Sequence, residues 1–295
     1  MKYAYFPGCS LSSTGLEYDM STRKVAQALG IDLWEIPEWN CCGASSAHLT
    51  DQLLALALPA RNLAIAEAEG LDVAIPCAAC YARSKATEVE VRASKEMEQT
   101  ISEVIERPYT GKARARALLD IFVKDYGLDA IGTMVNKPLK GLKVVSYYGC
   151  LLVRPPKLGF DDPEDPQSMD SLIEALGGTP LNWAFKTECC GAAHATAQGE
   201  IGLSMIERIL SGAKEVGADC IATACPLCMN NLDMRQNQAT AKTGEQYNLP
   251  IFYFTELMGL ALGLKPEELG VNKHFVNTSE VLNKLNEALT RRDTP

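Results

Sequence analysis

Apolar and polar positions along the chain switch repeatedly between a strand period and a helix period. Lys2-Tyr3-Ala4-Tyr5-Phe6 is short and aromatic and runs into the turn Pro7-Gly8, which predicts a strand. Tyr18 to Leu29 puts Val25, Ala26 and Leu29 on one face and stops at Gly30, which predicts a helix. Ile31 to Ile36 alternates apolar and acidic residues, a second strand. Gln52 to Ala68 predicts a helix rich in Ala and Leu, interrupted by Pro59 and ended by Gly70. Val73-Ala74-Ile75 is a third, short strand. Glu88 to Glu106 and Lys112 to Asp125 read as two polar helices. The block they occupy, up to about Gly141, reads as a connection.

The plan then repeats. Lys143 to Tyr148 is a strand, and Leu151 to Gln167 is a loop with four prolines and three aspartates. Met169 to Leu176 and Gly202 to Lys214 are helices; Ile221 to Ala224 and Ile251 to Phe254 are strands. Asn272 to Pro295 is a polar tail with weak helical periodicity, suited to docking on a partner. Strands alternating with helices predict a parallel α/β sheet. The expected fold is two pseudo-symmetric, Rossmann-like parallel-sheet halves, 1–141 and 142–295, each carrying one five-cysteine site.

That division matters because of the cysteines. Cys41-Cys42-Gly43-Ala44 recurs as Cys189-Cys190-Gly191-Ala192. In both copies thirty-four residues separate the pair from a Cys-x-x-Cys, Cys77 with Cys80 and Cys225 with Cys228. A lone cysteine precedes each pair, Cys9 after Pro7-Gly8 and Cys150 after Tyr148-Gly149. Ten of the eleven cysteines thus fall into two sets of five. In the first half all three cysteine groups follow the carboxyl ends of expected strands, the edge where open α/β sheets bind ligands. Cys220 has no counterpart, because Asp72 occupies the matching position. It starts a strand whose far end carries Cys225, roughly 16 Å away, and reads as a packed core thiol.

Composition narrows the partners. A net charge of −9 argues against a nucleic-acid binder, which needs a basic face for phosphates. The first residues lack the pattern of a signal peptide, and no apolar run reaches the 18–20 or so residues that span a bilayer. Ile251 to Leu264 is too short, carries Glu256, and reads as a core helix or one that contacts a partner. The chain is expected to be cytoplasmic, with no membrane segment. In that reducing setting eleven cysteines read as metal ligands or redox groups rather than disulfides.

Zinc takes four ligands in a tetrahedron, and a five-membered set with two adjacent cysteines fits it poorly. An iron–sulfur cluster is several ångströms across and accepts thiolates from several directions. Five thiolates then mean either a non-standard cluster or a cubane with a spare thiol. The ferredoxin run C-x2-C-x2-C-x3-C-P is absent, so electrons are expected from a partner protein.

The repeated cysteine pattern resembles the cysteine-rich CCG domain in two copies. The whole chain resembles the B subunits of the soluble heterodisulfide reductases of methanogenic archaea. That resemblance implies two noncubane 4Fe–4S clusters. One would be held by Cys9, Cys41, Cys42, Cys77 and Cys80, the other by Cys150, Cys189, Cys190, Cys225 and Cys228. It implies reduction of the mixed disulfide of coenzyme M and coenzyme B to two thiols, in methanogenesis. It also implies a two-cubane C subunit, a flavin-containing, bifurcating A subunit, and an upstream hydrogenase or formate dehydrogenase. His48 and His194, a few residues past each Cys-Cys-Gly, are candidate proton donors. Arg83, Arg154 and Lys157, just past ligand positions, are candidates for the coenzymes' anionic groups. Two other functions stay open: a CCG subunit of a lactate-, glycolate- or quinone-linked oxidoreductase, and a non-catalytic electron relay or structural metal protein.

Overall fold

The computed structural model describes residues 1–44 and 46–290. Two four-stranded sheets form, both entirely parallel. The first contains β1 (Lys2–Tyr5), β2 (Asp32–Glu35), β3 (Val73–Ile75) and β4 (Ala115–Ala117), in the order β2-β1-β3-β4. The second contains β5 (Lys143–Tyr147), β6 (Thr179–Pro180), β7 (Cys220–Thr223) and β8 (Ile251–Tyr253), in the matching order β6-β5-β7-β8. The α/β expectation and the two-half architecture hold.

In each sheet the chain reverses its strand order between the two central strands. That crevice is where doubly wound sheets take ligands, because the following loops diverge there. β1 and β3 lead to Cys9 and Cys77, and β5 and β7 lead to Cys150 and Cys225. The central strands are apolar and buried, as strands covered on both faces must be.

Several elements differ from expectation. Cys9 lies on a single helical turn, Gly8–Leu11. The helix Gln52–Ala68 runs through Pro59 without a break. Its start is capped by Asp51, which accepts the Leu54 amide at 2.7 Å. The long helix expected over Glu88 to Glu106 is two, Ala78–Ala93 and Lys95–Val104, joined at Ser94, whose hydroxyl caps the second by accepting the Met97 amide. The block read as a mere connection supplies β4, which pairs with β3 in the register Val73 to Ala115. Ala115-Arg116-Ala117 has no strand signature of its own; pairing imposes the conformation. Asp72 fixes it by accepting the Arg114 amide at 3.0 Å and two guanidinium N–H groups at 2.9 and 2.7 Å.

Glu67 anchors the same segment. Its carboxylate accepts the amides of Thr110, Lys112 and Ala113 and the Thr110 hydroxyl. Burial alone would raise this carboxyl, but those four hydrogen bonds outweigh it and hold it below the usual range. A depressed carboxyl contributes stability above its unfolded pKa and loses it as pH falls through the folded value. Glu67→Gln should therefore destabilise the protein by about 1–2 kcal/mol at pH 7. The gap to wild type should close below about pH 4, which thermal unfolding across that range measures.

As far as Thr290 the tail packs on its own chain, and residues 291–295 of the stretch expected to suit a partner lie outside the described residues. Asp233 accepts the amides of Phe275 and Val276, and His274 Nε2 lies 2.8 Å from the buried Glu256. Helix Ser279–Thr290 buries Val281 and Leu285. The stretch from Ile251 to Leu264 is β8 plus the fully buried helix Phe254–Leu262. Among the described residues no helix is long and apolar enough to cross a membrane.

The halves interlock. Helix Leu16–Ala28 of the first packs along helix Phe254–Leu262 of the second, where Ser21 and Thr255 hydroxyls meet at 2.7 Å. In return, the proline-rich loop of the second half lies on the first. Tyr81 donates its hydroxyl to Leu158 O at 2.7 Å.

Candidate metal centre

Six of the ten patterned cysteines follow the central strands β1, β3, β5 and β7, and the two Cys-Cys pairs follow the edge strands β2 and β6. None is in a disulfide. Cys42 and Cys80 sulfurs stand 3.2 Å apart, and Cys190 and Cys228 3.6 Å, far beyond a bonded S–S length of about 2.05 Å. The thiols of Cys9 and Cys41, Cys150 and Cys189, Cys77 and Cys80, and Cys225 and Cys228 influence one another's acidity. So do Cys77 of the first half and Cys225 of the second, and the carbonyls of the residues before them, Pro76 and Ala224, lie 3.3 and 3.5 Å from the one Tyr18 hydroxyl. The two five-thiol sets are therefore neighbours across the first cysteine of each Cys-x-x-Cys. Cys220 is buried at the foot of β7, outside this array. Burial pushes its thiol up.

Thiol acidity follows the contacts. Cys42 is pulled down to about 7 by its hydrogen bond with Cys80, with the Ala44 amide and Arg83 adding. Cys189 is pulled down to about 6 by Cys150, with the Gly191 amide and His194 adding. The neighbouring thiols and burial push Cys80 and Cys228 the other way. Six of the ten are buried, and a full set of thiolates at such spacing would repel strongly in low dielectric. A cationic group with room for several sulfurs relieves this, and metal binding releases the remaining protons. Each set offers five thiols, two of them adjacent in sequence, where a tetrahedral zinc ion takes four, so a multi-metal group suits them.

Glycine makes the approach feasible. Gly8 and Gly149 have φ of +70° and +65°, and a Cβ on either would stand 3.0 Å from the sulfur of Cys80 or Cys228. The backbone before the lone cysteine thus packs directly on the last thiol of the same set. This is the space requirement behind Pro-Gly-Cys and Tyr-Gly-Cys.

A second matched pair holds the Cys-Cys-Gly loops, and the sequence did not single it out as such. Three residues after Cys80, Arg83 donates Nε–H to Ala44 O at 3.1 Å. Three residues after Cys228, the buried Asn231 donates to Ala192 O at 3.2 Å, to Cys190 O at 3.1 Å, and to Cys190 Sγ at 3.6 Å. The fixed 148-residue offset relates both donors and both acceptors. Asn62, also missed, clamps the backbone before Cys41 by exchanging two hydrogen bonds with Asn40 at 3.0 and 2.8 Å. In the second half Tyr147 does this work, donating to Glu188 O at 2.7 Å. Helix spacing from the second cysteine was the available signal for Asn231; nothing in the sequence marked Asn62. Asn231→Ala leaves two loop carbonyls without their donor and should lower stability by about 1–3 kcal/mol. Thermal unfolding measures that loss, and iron retention measures any loosening of Cys190.

The other expected site residues scatter. His194 is exposed on the turn His194–Ala197 and acts on Cys189. His48 is exposed on the corresponding turn, Ala47–Thr50. Arg154 is taken up by its own loop: Nε donates to Pro163 O at 2.8 Å, and Nη2 reaches Glu164 at 2.8 Å and Thr187 at 2.9 Å. Lys157 is exposed and sits 3.8 Å from Glu90.

The duplicated α/β scaffold with free thiols clustered in each half, together with the relatives it matches, supports an iron–sulfur oxidoreductase subunit. The cysteine-rich CCG domain matches residues 3–83 and 144–233, and the chain belongs to that family, in the duplicated form of the heterodisulfide reductase B subunits. It is 34% identical, over 95% of its length and 99% of the relative's, to the 8-methylmenaquinol:fumarate reductase membrane anchor subunit of Wolinella succinogenes. It is 30% identical, over 97% of both chains, to the B subunit of the ferredoxin/F(420)H(2)-dependent CoB-CoM heterodisulfide reductase of Methanosarcina acetivorans. The B subunit of the ferredoxin:CoB-CoM heterodisulfide reductase of Methanosarcina mazei matches at the same identity and coverage. Among solved structures, a hypothetical protein from Helicobacter pylori shares the fold with a TM-score of 0.74 at 13% identity. The alignment covers 94% of this chain and about half, 52%, of that one.

Proposed function

We propose that this chain reduces a disulfide, the mixed disulfide of coenzyme M and coenzyme B, at two noncubane 4Fe–4S groups. The observation that carries this reading is the approach of the Cys77 and Cys225 loops, whose preceding carbonyls meet at the Tyr18 hydroxyl, which makes the two five-thiol sets neighbours. Cleaving one disulfide takes two electrons, and two adjoining one-electron sites can supply them together. Cys9, Cys41, Cys42, Cys77 and Cys80 would hold one group and Cys150, Cys189, Cys190, Cys225 and Cys228 the other. When bound, such groups supply one-electron reduction and a Lewis-acidic iron for a departing thiolate.

The chain's own residues do the remaining work. Cys9 and Cys41 are exposed while Cys150 and Cys189 are half-buried, so the first set opens to solvent more than the second. His194 and His48 lie on the turns after the two Cys-Cys-Gly loops and would carry protons to product sulfurs. Arg83 spends its Nε–H on Ala44 O and keeps four N–H groups for an anionic coenzyme. Arg154 and Lys157 would have to exchange Glu164 and Glu90 for that anion. Electrons would come from a two-cubane C subunit and a flavin-containing, bifurcating A subunit, with a hydrogenase or formate dehydrogenase upstream, in the cytoplasm.

A second reading has its own support. The relative at 34% identity is named for a quinol:fumarate reductase, and the pairing of Arg154 and Lys157 with carboxylates leaves fewer cations for an anionic substrate. One assay separates the readings. Iron and acid-labile sulfide per chain establish loading, and oxidation of reduced viologen is then followed with the heterodisulfide and with a menaquinone analogue. Turnover with the heterodisulfide supports the first reading, and turnover with the quinone alone replaces it. Full loading without turnover on either leaves an electron relay.

A further inference from the structure

We infer that Tyr18 is a positioning residue that sets both metal sites at once. Its ring is fully buried on helix Leu16–Ala28 of the first half. Its hydroxyl lies 3.3 Å from Pro76 O and 3.5 Å from Ala224 O. These carbonyls belong to the residues immediately before Cys77 and Cys225, the first thiol of the Cys-x-x-Cys in each half. One proton is thus shared, in a three-centre bond, by the two loops that carry these cysteines.

The surroundings fix this hydroxyl. Tyr18 stacks face to face on Tyr253 of the second half, with centroids 4.0 Å apart and planes 10° from parallel. Phe254 closes the edge at 6.1 Å. Ser21 and Thr255 pin the same two helices one turn further along. Tyr253 is equally buried, yet its hydroxyl has no hydrogen-bond partner among the described residues. The stack supplies packing from both rings; only Tyr18 of the two supplies a bond to the ligand loops.

Donors aimed at the ligand backbone favour the more negative, reduced state of a metal site, because they stabilise charge without moving. A single donor between two sites shifts both in the same sense. This inference rests on the reading of the ten cysteines as holding two iron–sulfur groups. Two variants of the full, iron-loaded chain test it: Tyr18→Phe, and 3-fluorotyrosine at position 18. The first keeps the stack and removes the donor. The second keeps the shape and makes the O–H a stronger donor, so it reports even if Tyr18→Phe fails to fold. Redox titration followed by EPR should show both midpoints lowered by Tyr18→Phe and both raised by fluorination. Tyr253→Phe should leave both in place. Unmoved midpoints, or a shift in one site only, overturn the role of Tyr18. A wild-type chain that binds no iron would instead remove the two-site reading.

Discussion

Replacing Cys225 with alanine is expected to empty the second site and disturb the first. Cys225 is influenced both by Cys228 in its own set and by Cys77 in the other. It is the proposed ligand position where the halves adjoin. Substitutions among the groups that merely hold a metal's ligands cost about 10–100-fold in affinity or activity, so loss of a buried thiolate ligand should cut disulfide reduction by more than about 100-fold. Iron and sulfide per chain should fall by the share of one site. The EPR signal of the first site should persist with an altered line shape. Cys220→Ala is the control. That thiol is as buried but lies outside the array, so its removal should leave iron content intact and cost about 1 kcal/mol of stability. A Cys225→Ala protein with a full iron complement would refute the ligand assignment.

Gly149→Ala should have the second-largest effect, for a steric reason. The added Cβ would meet the Cys228 sulfur at 3.0 Å, and a ligand sulfur held by metal cannot swing aside. The left-handed φ adds about 1–2 kcal/mol of backbone strain. Gly30→Ala separates these two contributions. Gly30 also has a positive φ, +67°, but a Cβ there meets nothing within 4 Å. Both variants should lose thermal stability, while only Gly149→Ala, and its counterpart Gly8→Ala, should lose iron. Equal iron retention in all three would mean that the glycine-to-sulfur contact carries no constraint.

The charge on each site also depends on a difference between halves. Arg83 and Asn231 occupy corresponding positions and bond to corresponding carbonyls. One brings a full positive charge and the other a neutral amide that also reaches a ligand sulfur at 3.6 Å. The two sites therefore share a frame without sharing an electrostatic environment.

The sequence by itself determined the duplication, the two five-cysteine sets, the α/β class and the position of the first half's cysteine groups past strand ends. These follow from local information: spacing, strand patterning, and glycines next to cysteines. What only the tertiary structure decided was everything that depends on pairing across distance. β4 has no strand signal and exists because β3 offers it a parallel register. Arg154 and Lys157 looked available beside Cys150, yet they are committed to Glu164 and Glu90, partners brought close only by the folded loop. Asn62 and Tyr18 carry no motif, because a hydrogen bond to a main-chain carbonyl leaves no trace in the acceptor's residue type. The approach of the Cys77 and Cys225 loops spans 148 positions. It joins two sites that the sequence could count but not place side by side, since the interlocking helices that set their separation are selected by packing rather than by pattern.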